Sequence, residues 1–450
     1  METTRNARKK IEELRGLLER ARQGDRDDAQ VLGAFRDRYQ ALSPDEKLQL
    51  FEALLERLEV RRTDVAQALE ALRVADDEGD PASWSRRVSA LRRQLESPRL
   101  RVFRRFLAIS GGMRFLLDLR ADILTAQRRS EAAIDALDEE IAHLFNSWFQ
   151  QGFLFLGEVT VDSPYRVIHF LLQHELVHPM TRIEEMAERM GGDRRCFALY
   201  HRAMPEEPVV FIEVALTRGL ARSIHSVLDD RQSDQTARNA PDTAIFYSIN
   251  NAQNGLSGLG LGSILIFQVV EALKKSVPGI KTFATLSPIP GLWKSYLRPI
   301  LEGRDEAFAL KKSDLAHLIG DKTQLALAER CQTVHGTRPA DAPATLLQVL
   351  SDPGWIHDET FARLLRQPLC EITYRYLALE KDARGKPVNP VANFHLGNGA
   401  SVQLSDVNFA GNTSARGIET ACSMMVNYVY SSHWMAQIGR TVQSLLPALS

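Results

Sequence analysis

A glycine-rich stretch between an apolar run and a helical pattern constrains this chain more than any other feature. Residues 244–249 (Ala-Ile-Phe-Tyr-Ser-Ile) have the composition of a buried strand and lead into the glycine-rich residues 254–263. A helical pattern follows at 264–276, and a short second strand at 282–286 places Ser287 at its end. Glycines between a strand and a helix let backbone N–H groups approach an anion at the helix N-terminus. The stretch therefore predicts a strand–loop–helix–strand unit that binds a phosphate or pyrophosphate.

Two common phosphate-binding loops do not fit this stretch. A Walker loop ends in Gly-Lys-Ser/Thr, and Gly262-Ser263 lacks the lysine, which argues against nucleoside triphosphate hydrolysis. A dinucleotide site needs an acid about 20 residues on, where this chain has Lys281 and Thr282. The order of elements instead matches the coenzyme A loop of GNAT-type acyltransferases, although a tight turn without a ligand is the alternative. The predicted coenzyme A-binding residues are Ser257, Gly258, Leu259, Gly260, Leu261, Gly262 and Ser263.

Two further segments resemble those of a known family. Residues 283–292 (Phe-Ala-Thr-Leu-Ser-Pro-Ile-Pro-Gly-Leu) are similar to the serine motif of the malonyl-CoA decarboxylases. Residues 393–399 (Asn-Phe-His-Leu-Gly-Asn-Gly) are similar to the histidine motif of the same family. Shorter similarities, in the same order along the chain, lie at residues 208–217, 416–418 and 427–430.

The resemblance implies an activity and a set of site residues. It implies conversion of malonyl-CoA to acetyl-CoA and CO₂ without a metal or other cofactor, since coenzyme A is part of the substrate. It implies Ser287, His395 and Tyr430 as catalytic residues, with His395 protonating a thioester enolate and Asn427 as a support. Some animal relatives have an acid where this chain has Gly260, so no orienting role of that acid carries over.

Each of these candidates also has a structural interpretation. Ser287 before Pro288 is the pattern of a helix N-cap with proline at the first helical position, and the pattern continues the helix at 292–293. His395 is predicted to follow a strand and to precede a tight turn at 397–399, which favours a position in a site. Tyr430 is equally compatible with core packing.

A zinc-protease pattern, His-Glu-Leu-Val-His at residues 174–178, needs separate consideration. Such a site requires both histidines on one face of a continuing helix. Pro179 follows directly and pushes His178 out of the α region. We therefore expect a helix end rather than a metal site.

The length of 450 residues exceeds what one core usually sustains, which predicts two domains. An all-α domain is expected at residues 1–155, with a role in oligomerisation. A GNAT-like catalytic domain with a mixed sheet is expected at 156–450, with a helical insertion at about 303–386. The fold class is thus a two-domain α+β or α/β protein.

Local patterns place the elements within this division. An apolar stripe lies at Ile11, Leu14, Leu18 and Ala21, and a capping box at 43–46 precedes a second stripe at Leu48, Phe51, Leu55 and Leu58. Strands are predicted at 196–201, 209–216, 244–249 and 282–283, and again at 388–394 and 401–407. Residues 229–242 are polar and aperiodic, which predicts an exposed connection.

Charge and composition limit the kinds of binding partner and the compartment that we expect for this chain. The formal net charge of −1 provides no global field for nucleic acid or an anionic membrane, and no apolar run reaches spanning length. Four scattered cysteines without a C-x-x-C pair favour a reducing compartment. Neither terminus carries a recognised targeting pattern, so we expect a cytoplasmic protein. The family resemblance also implies that the protein is a homo-oligomer, either a dimer or a tetramer, that forms through the helical domain.

Two other functions share this fold and are kept as alternatives. An acyl-CoA-dependent N-acyltransferase would need an amine-binding cleft and a base, and no pattern marks either. A non-catalytic acyl-CoA-binding regulator would use Ser287 and His395 only structurally.

Overall fold

The structure is a computed structural model that describes residues 2–23, 28–57, 60–77, 79–129, 134–228 and 240–431. It divides into two compact units. The first comprises Met1–Phe155 with His201–Pro205 and Asn251–Leu261, and the second comprises Leu156–Tyr200, Glu206–Asn250 and Gly262–Ser450. Most of the polar stretch 229–242, predicted as an exposed connection, lies outside the described residues.

The first unit is helical, as predicted for this part of the chain. Its helices are α1 (Glu2–Gln23), α2 (Asp28–Gln40), α3 (Pro44–Arg57), α4 (Arg62–Asp77), α5 (Pro81–Leu95), α6 (Pro98–Phe106), α7 (Gly112–Gln127) and α8 (Asp135–Trp148).

Local signals in the sequence explain where these helices begin and what they bury. The predicted stripe of α1 is buried at Ile11, Leu14, Leu18 and Ala21. The capping box before α3 is formed, because the Ser43 amide donates to Glu46 and the Glu46 amide donates to Ser43 Oγ at 3.2 Å. The predicted stripe of α3 is partly wrong. Leu50, Phe51 and Leu54 are buried, since α1 and α7 pack on that face, whereas Leu48 and Leu55 are only half-buried. The fourth position of the stripe, Leu58, lies outside the described residues.

The second unit is built on a mixed sheet. The strands are β1 (Leu154–Val159), β2 (Arg194–His201), β3 (Met204–Thr217), β4 (Thr243–Asn251), β5 (Thr282–Thr285), β6 (Ser287–Pro288), β7 (Ala400–Ser401), β8 (Val407–Asn408), β9 (Met425–Val426) and β10 (Val429–Tyr430). Seven of them form one sheet in the order β1-β2-β3-β4-β5-β10-β7, and a small sheet has the order β6-β9-β8. The sequence predicted β2, β3, β4 and β5 but not β1.

The central strands separate at the point where the sequence places Ser287. β4 and β5 are parallel and pair from Thr243↔Thr282 to Phe246↔Thr285. Beyond this point β4 runs on to Asn251, whereas Ser287 pairs with Val426 of β9 in the small sheet. The chain after β5 therefore leaves β4.

Eleven further helices follow β1 in the described residues. They are α9 (Tyr165–His174), α10 (Ile183–Glu188), α11 (His225–Leu228), α12 (Leu261–Ser276), α13 (Arg298–Leu301), α14 (Leu315–Ile319), α15 (Asp321–His335), α16 (Ala342–Ser351), α17 (Glu359–Tyr374), α18 (Pro390–Gly397) and α19 (Ala415–Ala421). None of the helices in the described residues is long and apolar enough to cross a membrane. The predicted architecture, a helical region followed by a mixed sheet, is confirmed.

The strand predicted at 388–394 is wrong, because this segment begins α18. Asn389 caps the helix by accepting hydrogen bonds from the amides of Val391 and Ala392, and Pro390 occupies the first helical position. The strand predicted at 401–407 is reduced to β7, a 3-10 turn at Leu404–Asp406 and the start of β8.

The helix N-cap predicted at Ser287 is also wrong. Ser287 and Pro288 lie in β6, and the next helical segment, a π-helical turn, spans Leu292–Leu297. It starts after Gly291, whose φ of 81° is in the left-handed region that glycine tolerates.

Candidate active site

The site forms around Ser287, which is 6% exposed at the point where β5 ends. The Ser287 hydroxyl donates a hydrogen bond to Thr285 Oγ1 at 2.9 Å. The Ser287 oxygen also lies 3.5 Å from Nε2 of His395, at the outer limit of a hydrogen bond. The structure therefore brings together two residues that are 108 positions apart in the sequence.

His395 is held from two further directions. Its Nδ1 lies 2.8 Å from the hydroxyl of Tyr430. Its ring stacks on Tyr428, with centroids 4.8 Å apart and planes inclined by 25°. Ser287, His395 and Tyr430, the three residues implied by the family motifs, are thus connected in one buried row.

Burial decides the charge of this row. Desolvation lowers the pKa of His395 to about 3, so its imidazole is neutral at pH 7. Burial also raises the pKa of the Tyr430 phenol, which keeps that hydroxyl protonated. A neutral imidazole accepts at one nitrogen and donates at the other. Because the Ser287 hydroxyl donates to Thr285, the Nε2 nitrogen that faces Ser287 is assigned the proton, which leaves Nδ1 to accept from Tyr430.

The strand that carries Ser287 is itself held by polar side chains. Asn427 is 1% exposed and donates from Nδ2 to the carbonyls of Thr285 at 2.6 Å and Ala221 at 3.0 Å. Its Oδ1 accepts from Asn408 Nδ2 at 2.7 Å. Asn427 was expected as a support, and its contacts lie on the backbone next to the site rather than on His395.

The second half of the glycine-rich loop opens α12. Gly258 and Gly260 have φ values of 82° and 71°, so glycine is the residue that adopts them without strain. A Cβ on Gly262 would lie 2.9 Å from Cζ of Phe394. Ser263 donates to Asn398 Oδ1 at 2.6 Å. The first turn of α12 therefore packs against α18, the helix that carries His395.

The first half of the loop is anchored within the first unit. A Cβ on Gly255 would lie 2.1 Å from the carbonyl oxygen of Leu117, so only glycine fits there. Arg120, whose side chain is 4% exposed, donates to the carbonyls of Gly255 at 2.7 Å and Ser257 at 3.0 Å and pairs with Asp138.

The His-Glu-Leu-Val-His pattern does not lie on one helix, because α9 ends at His174. Glu175 is 2% exposed and instead accepts hydrogen bonds from Ser248 at 2.6 Å and Asn250 at 2.7 Å, on β4. Its other oxygen accepts from the amides of Val177 and His178. Within the described part of the chain, no group of three or more His, Cys, Asp and Glu side chains is arranged to hold a metal ion.

Sequence reasoning missed four residues that shape this region. Thr285 lies two positions before Ser287, the spacing of one strand face, and this was the signal available for it. Tyr428 stands between the motif residues Asn427 and Tyr430 without a pattern of its own. Arg120 comes from a distant segment, and no local pattern marks it. Glu175 falls within the zinc-protease pattern at 174–178, which did not indicate its hydrogen bonds to β4.

Fold and site together define a class of protein: a helical region followed along the chain by a mixed sheet that carries a buried serine–histidine–tyrosine row. Residues 152–440 match the model of the malonyl-CoA decarboxylase C-terminal domain, and residues 58–149 match that of the N-terminal domain. The chain therefore belongs to the malonyl-CoA decarboxylase family.

Individual relatives agree with this assignment. The mitochondrial malonyl-CoA decarboxylase of Anser anser anser is 37% identical over 346 residues, which cover 74% of this chain and 64% of the goose protein. That of Mus musculus is 34% identical over 74% of this chain and 65% of the mouse protein. The chain thus spans slightly less than two thirds of these relatives.

Solved structures match the chain over nearly its whole length. The crystal structure of malonyl-CoA decarboxylase from Agrobacterium vitis is 30% identical, with a TM-score of 0.76, over 98% of this chain and 96% of that one. The structure from Rhodopseudomonas palustris is 29% identical, with a TM-score of 0.75, over 96% of each chain.

Proposed function

We propose that this chain is a carboxy-lyase that converts malonyl-CoA to acetyl-CoA and CO₂. The observation that carries the proposal is the buried contact of Ser287 with His395 and of His395 with Tyr430, on the motifs of a decarboxylase family. The bond between the carboxylate carbon and the α-carbon breaks, and its electron pair moves into the thioester as an enolate. One proton then joins the α-carbon, which completes acetyl-CoA.

His395 supplies that proton. In the ligand-free chain burial keeps the pKa of His395 near 3. A malonyl carboxylate placed beside the ring raises this pKa, since a nearby negative charge favours the imidazolium. His395 thus takes up a proton with the substrate and returns it to the enolate carbon, a contribution of roughly 10²–10⁴-fold. The Tyr430 hydroxyl can donate to Nδ1 of the neutral imidazole and accept from Nδ1–H of the protonated imidazole, so it forms a hydrogen bond with His395 in both protonation states.

Ser287 orients the carboxylate. A carboxylate is lost fastest when it is turned out of the thioester plane and removed from water, and the buried Ser287 hydroxyl is the group that holds it so. Backbone amides of β4 beyond Phe246, where pairing with β5 has ended, are the proposed donors to the enolate oxygen. One such donor is typically worth about 2.7–4 kcal/mol.

Coenzyme A binding is assigned to the loop that opens α12. The positive φ values of Gly258 and Gly260 and the start of a 16-residue helix at Leu261 support pyrophosphate binding by the amides of residues 257–263. We propose no metal or organic cofactor, because the thioester itself accepts the electron pair.

Localisation, oligomeric state and domain division complete the proposal. We propose a cytoplasmic protein, in keeping with its scattered free cysteines at Cys196, Cys331, Cys370 and Cys422. We propose a homo-oligomer formed through a helical domain at residues 1–155, separate from a catalytic domain at 156–450 with a helical insertion at about 303–386. The exposed apolar side chains Leu69, Val74, Trp84 and Leu95 on α4 and α5 support an interface there. No nucleic acid or membrane is among the proposed partners.

A turnover assay tests the activity. Purified protein with malonyl-CoA, and without any amine, is expected to yield acetyl-CoA and CO₂. Ser287→Ala should lower kcat by orders of magnitude while coenzyme A still binds, and His395→Asn should also slow turnover. The exposed serine Ser401 provides the control, since Ser401→Ala should leave kcat unchanged.

Other outcomes would identify the alternatives. Turnover that requires an amine acceptor would indicate an N-acyltransferase. Binding of coenzyme A without turnover of either kind would indicate a regulator. Trapping of an acyl group on Ser287 would show nucleophilic catalysis, which contradicts the proposed role of the serine but not the substrate.

A further inference from the structure

Thr285 is the buried residue closest to the reacting groups that the proposed mechanism leaves without a role. It ends β5 and is 0% exposed. Its Oγ1 accepts from the Ser287 hydroxyl at 2.9 Å and from the Tyr428 amide at 3.1 Å. Two accepted hydrogen bonds use both lone pairs of a hydroxyl oxygen. Thr285 Oγ1 thus has both acceptor positions occupied, one of them by the hydrogen bond from Ser287.

The backbone of Thr285 leaves this hydroxyl little freedom. The Thr285 amide donates to the Tyr428 carbonyl at 2.9 Å, and its carbonyl accepts from Asn427 Nδ2 at 2.6 Å. Tyr428, in turn, stacks on the His395 ring. The position of Thr285 Oγ1 is therefore set by the same residues that hold His395.

The direction of the Ser287 proton decides what Ser287 presents to the site. While that proton is donated to Thr285, the serine presents only lone pairs, and His395 Nε2 must be the donor across the 3.5 Å contact. A serine in this state neither attacks as a nucleophile nor donates to a carboxylate. Binding of a carboxylate requires the Ser287 proton to turn away from Thr285.

We infer that Thr285 is a positioning residue that holds the Ser287 hydroxyl away from His395 and releases it when an acyl-CoA bearing a carboxylate binds. An ionised carboxylate is a stronger acceptor than a neutral hydroxyl, so the Ser287 hydroxyl turns and donates its hydrogen bond to the carboxylate. The Thr285 hydroxyl then turns and donates to Ser287 Oγ, which strengthens the bond from Ser287 to the carboxylate. When CO₂ leaves, the negative charge passes to the enolate. Once His395 has protonated the enolate carbon, no anion remains beside Ser287 and the first arrangement returns. The turn of the Ser287 hydroxyl away from Thr285 on substrate binding, here called the release, rests on the proposed function. The hydrogen bond from Ser287 to Thr285 before substrate binds, here called the resting arrangement, does not.

Replacement of Thr285 by valine and by serine tests the kinetic part. Thr285→Val keeps the shape and removes the hydroxyl, and we expect kcat for malonyl-CoA to fall about 10- to 100-fold, the effect of one hydrogen bond to a charged group. Binding of coenzyme A, which has no carboxylate, should change less than about twofold. Thr285→Ser should restore kcat to within a few-fold of the unaltered protein. Thr282→Val, at the other end of β5, is the matched control and should leave kcat unchanged.

A double-mutant cycle separates this role from a purely structural one. If Thr285 acts through Ser287, Thr285→Val should have little further effect on kcat in a Ser287→Ala background. Full additivity of the two losses, equal loss of coenzyme A binding, or failure of Thr285→Ser to restore kcat would each overturn the inference.

The resting arrangement is tested without substrate. Nitrogen-15 NMR of the His395 ring should show the Nε2–H tautomer in the ligand-free protein and a larger Nδ1–H fraction in Thr285→Val, where Ser287 is free to donate to Nε2. An unchanged tautomer would overturn the proposed hold on Ser287. If the unaltered protein does not turn over malonyl-CoA, the proposed function and the release both fail, and the tautomer still decides the resting arrangement.

Discussion

His395 shows how much a single residue depends on its surroundings. Its sequence motif is compatible with a histidine that titrates near neutrality, but burial lowers its pKa to about 3. His178 is also buried, and desolvation followed by the charge of Arg189 lowers its pKa to about 4. Both rings are neutral when the chain is folded and become protonated in the unfolded chain below pH 6.5.

These two histidines predict a loss of stability in mild acid. Because the folded pKa lies below the unfolded one, the unfolded chain binds more protons between these values, and stability falls as pH falls below about 6.5. Each histidine should lower the free energy of unfolding by about 1.4 kcal/mol when the pH falls from 7.5 to 5.5. Chemical denaturation at the two pH values measures the loss, and His395→Gln should reduce it by about that amount.

The same variants provide the check on this prediction. At pH 7.5 both histidines are neutral in either state, so the stability of each variant there serves as its own reference. If the free energy of unfolding changes equally with pH in the unaltered protein, in His395→Gln and in His178→Gln, then neither imidazole is held neutral by the fold.

At the scale of elements, α18 decides whether His395 reaches Ser287. Its N-cap Asn389 is 0% exposed and joins two parts of the site. Its side-chain oxygen accepts from the first amides of α18, and its Nδ2 donates to the carbonyl of Pro290 at 3.0 Å, three residues after Ser287. One side chain thus fixes the helix of the histidine to the segment of the serine.

Replacement of this cap should therefore affect both stability and turnover. Asn389→Ala is expected to lower the free energy of unfolding by about 1–2 kcal/mol, the range of a lost N-cap. It should also lower kcat, because α18 loses its bond to the Pro290 carbonyl and His395 shifts. Thermal unfolding and malonyl-CoA turnover measure the two effects.

Another capped helix provides the control. Asp341 caps α16 by accepting from the Ala344 amide, away from Ser287 and His395. Asp341→Ala should lower stability to a similar extent and leave kcat unchanged. A similar loss of turnover in both variants would mean that the effect of Asn389 is general destabilisation.

At the scale of the whole molecule, the proposed assembly depends on helices that bury little of their own surface. Among the described residues of α4 and α5, only Ala75 is buried. Leu69 is 51% exposed and Trp84 is 45% exposed. Exposed apolar side chains of this size are common at protein–protein interfaces.

Charged replacements on these helices test the assembly. The double variant Leu69→Glu, Trp84→Glu should shift the mass in light scattering at micromolar concentration to a smaller species, because burying an unpaired carboxylate in an interface is costly. Leu325→Glu on α15 is the matched control, since Leu325 is equally exposed at 53%. A monomeric unaltered protein would contradict the proposed oligomer, and an unchanged mass of the double variant would place the interface elsewhere.

The sequence alone determined the order of elements around the site. The strand–loop–helix–strand unit, its glycines and the helical first part of the chain were predicted, because alternation, helical period and capping patterns involve residues close along the chain. Ser287, His395 and Tyr430 were identified as candidates by the resemblance of their segments to the motifs of a known family.

Only the tertiary structure decided how those residues meet. It placed His395 on a helix, Ser287 on a strand that leaves β4, and Thr285 as the acceptor of the serine proton. It also set the neutral state of the imidazole. The hydrogen bonds of His395 depend on partners that lie 35 and 108 positions away along the chain, at Tyr430 and Ser287. Folding, and not the local pattern, brings these partners within reach of one another.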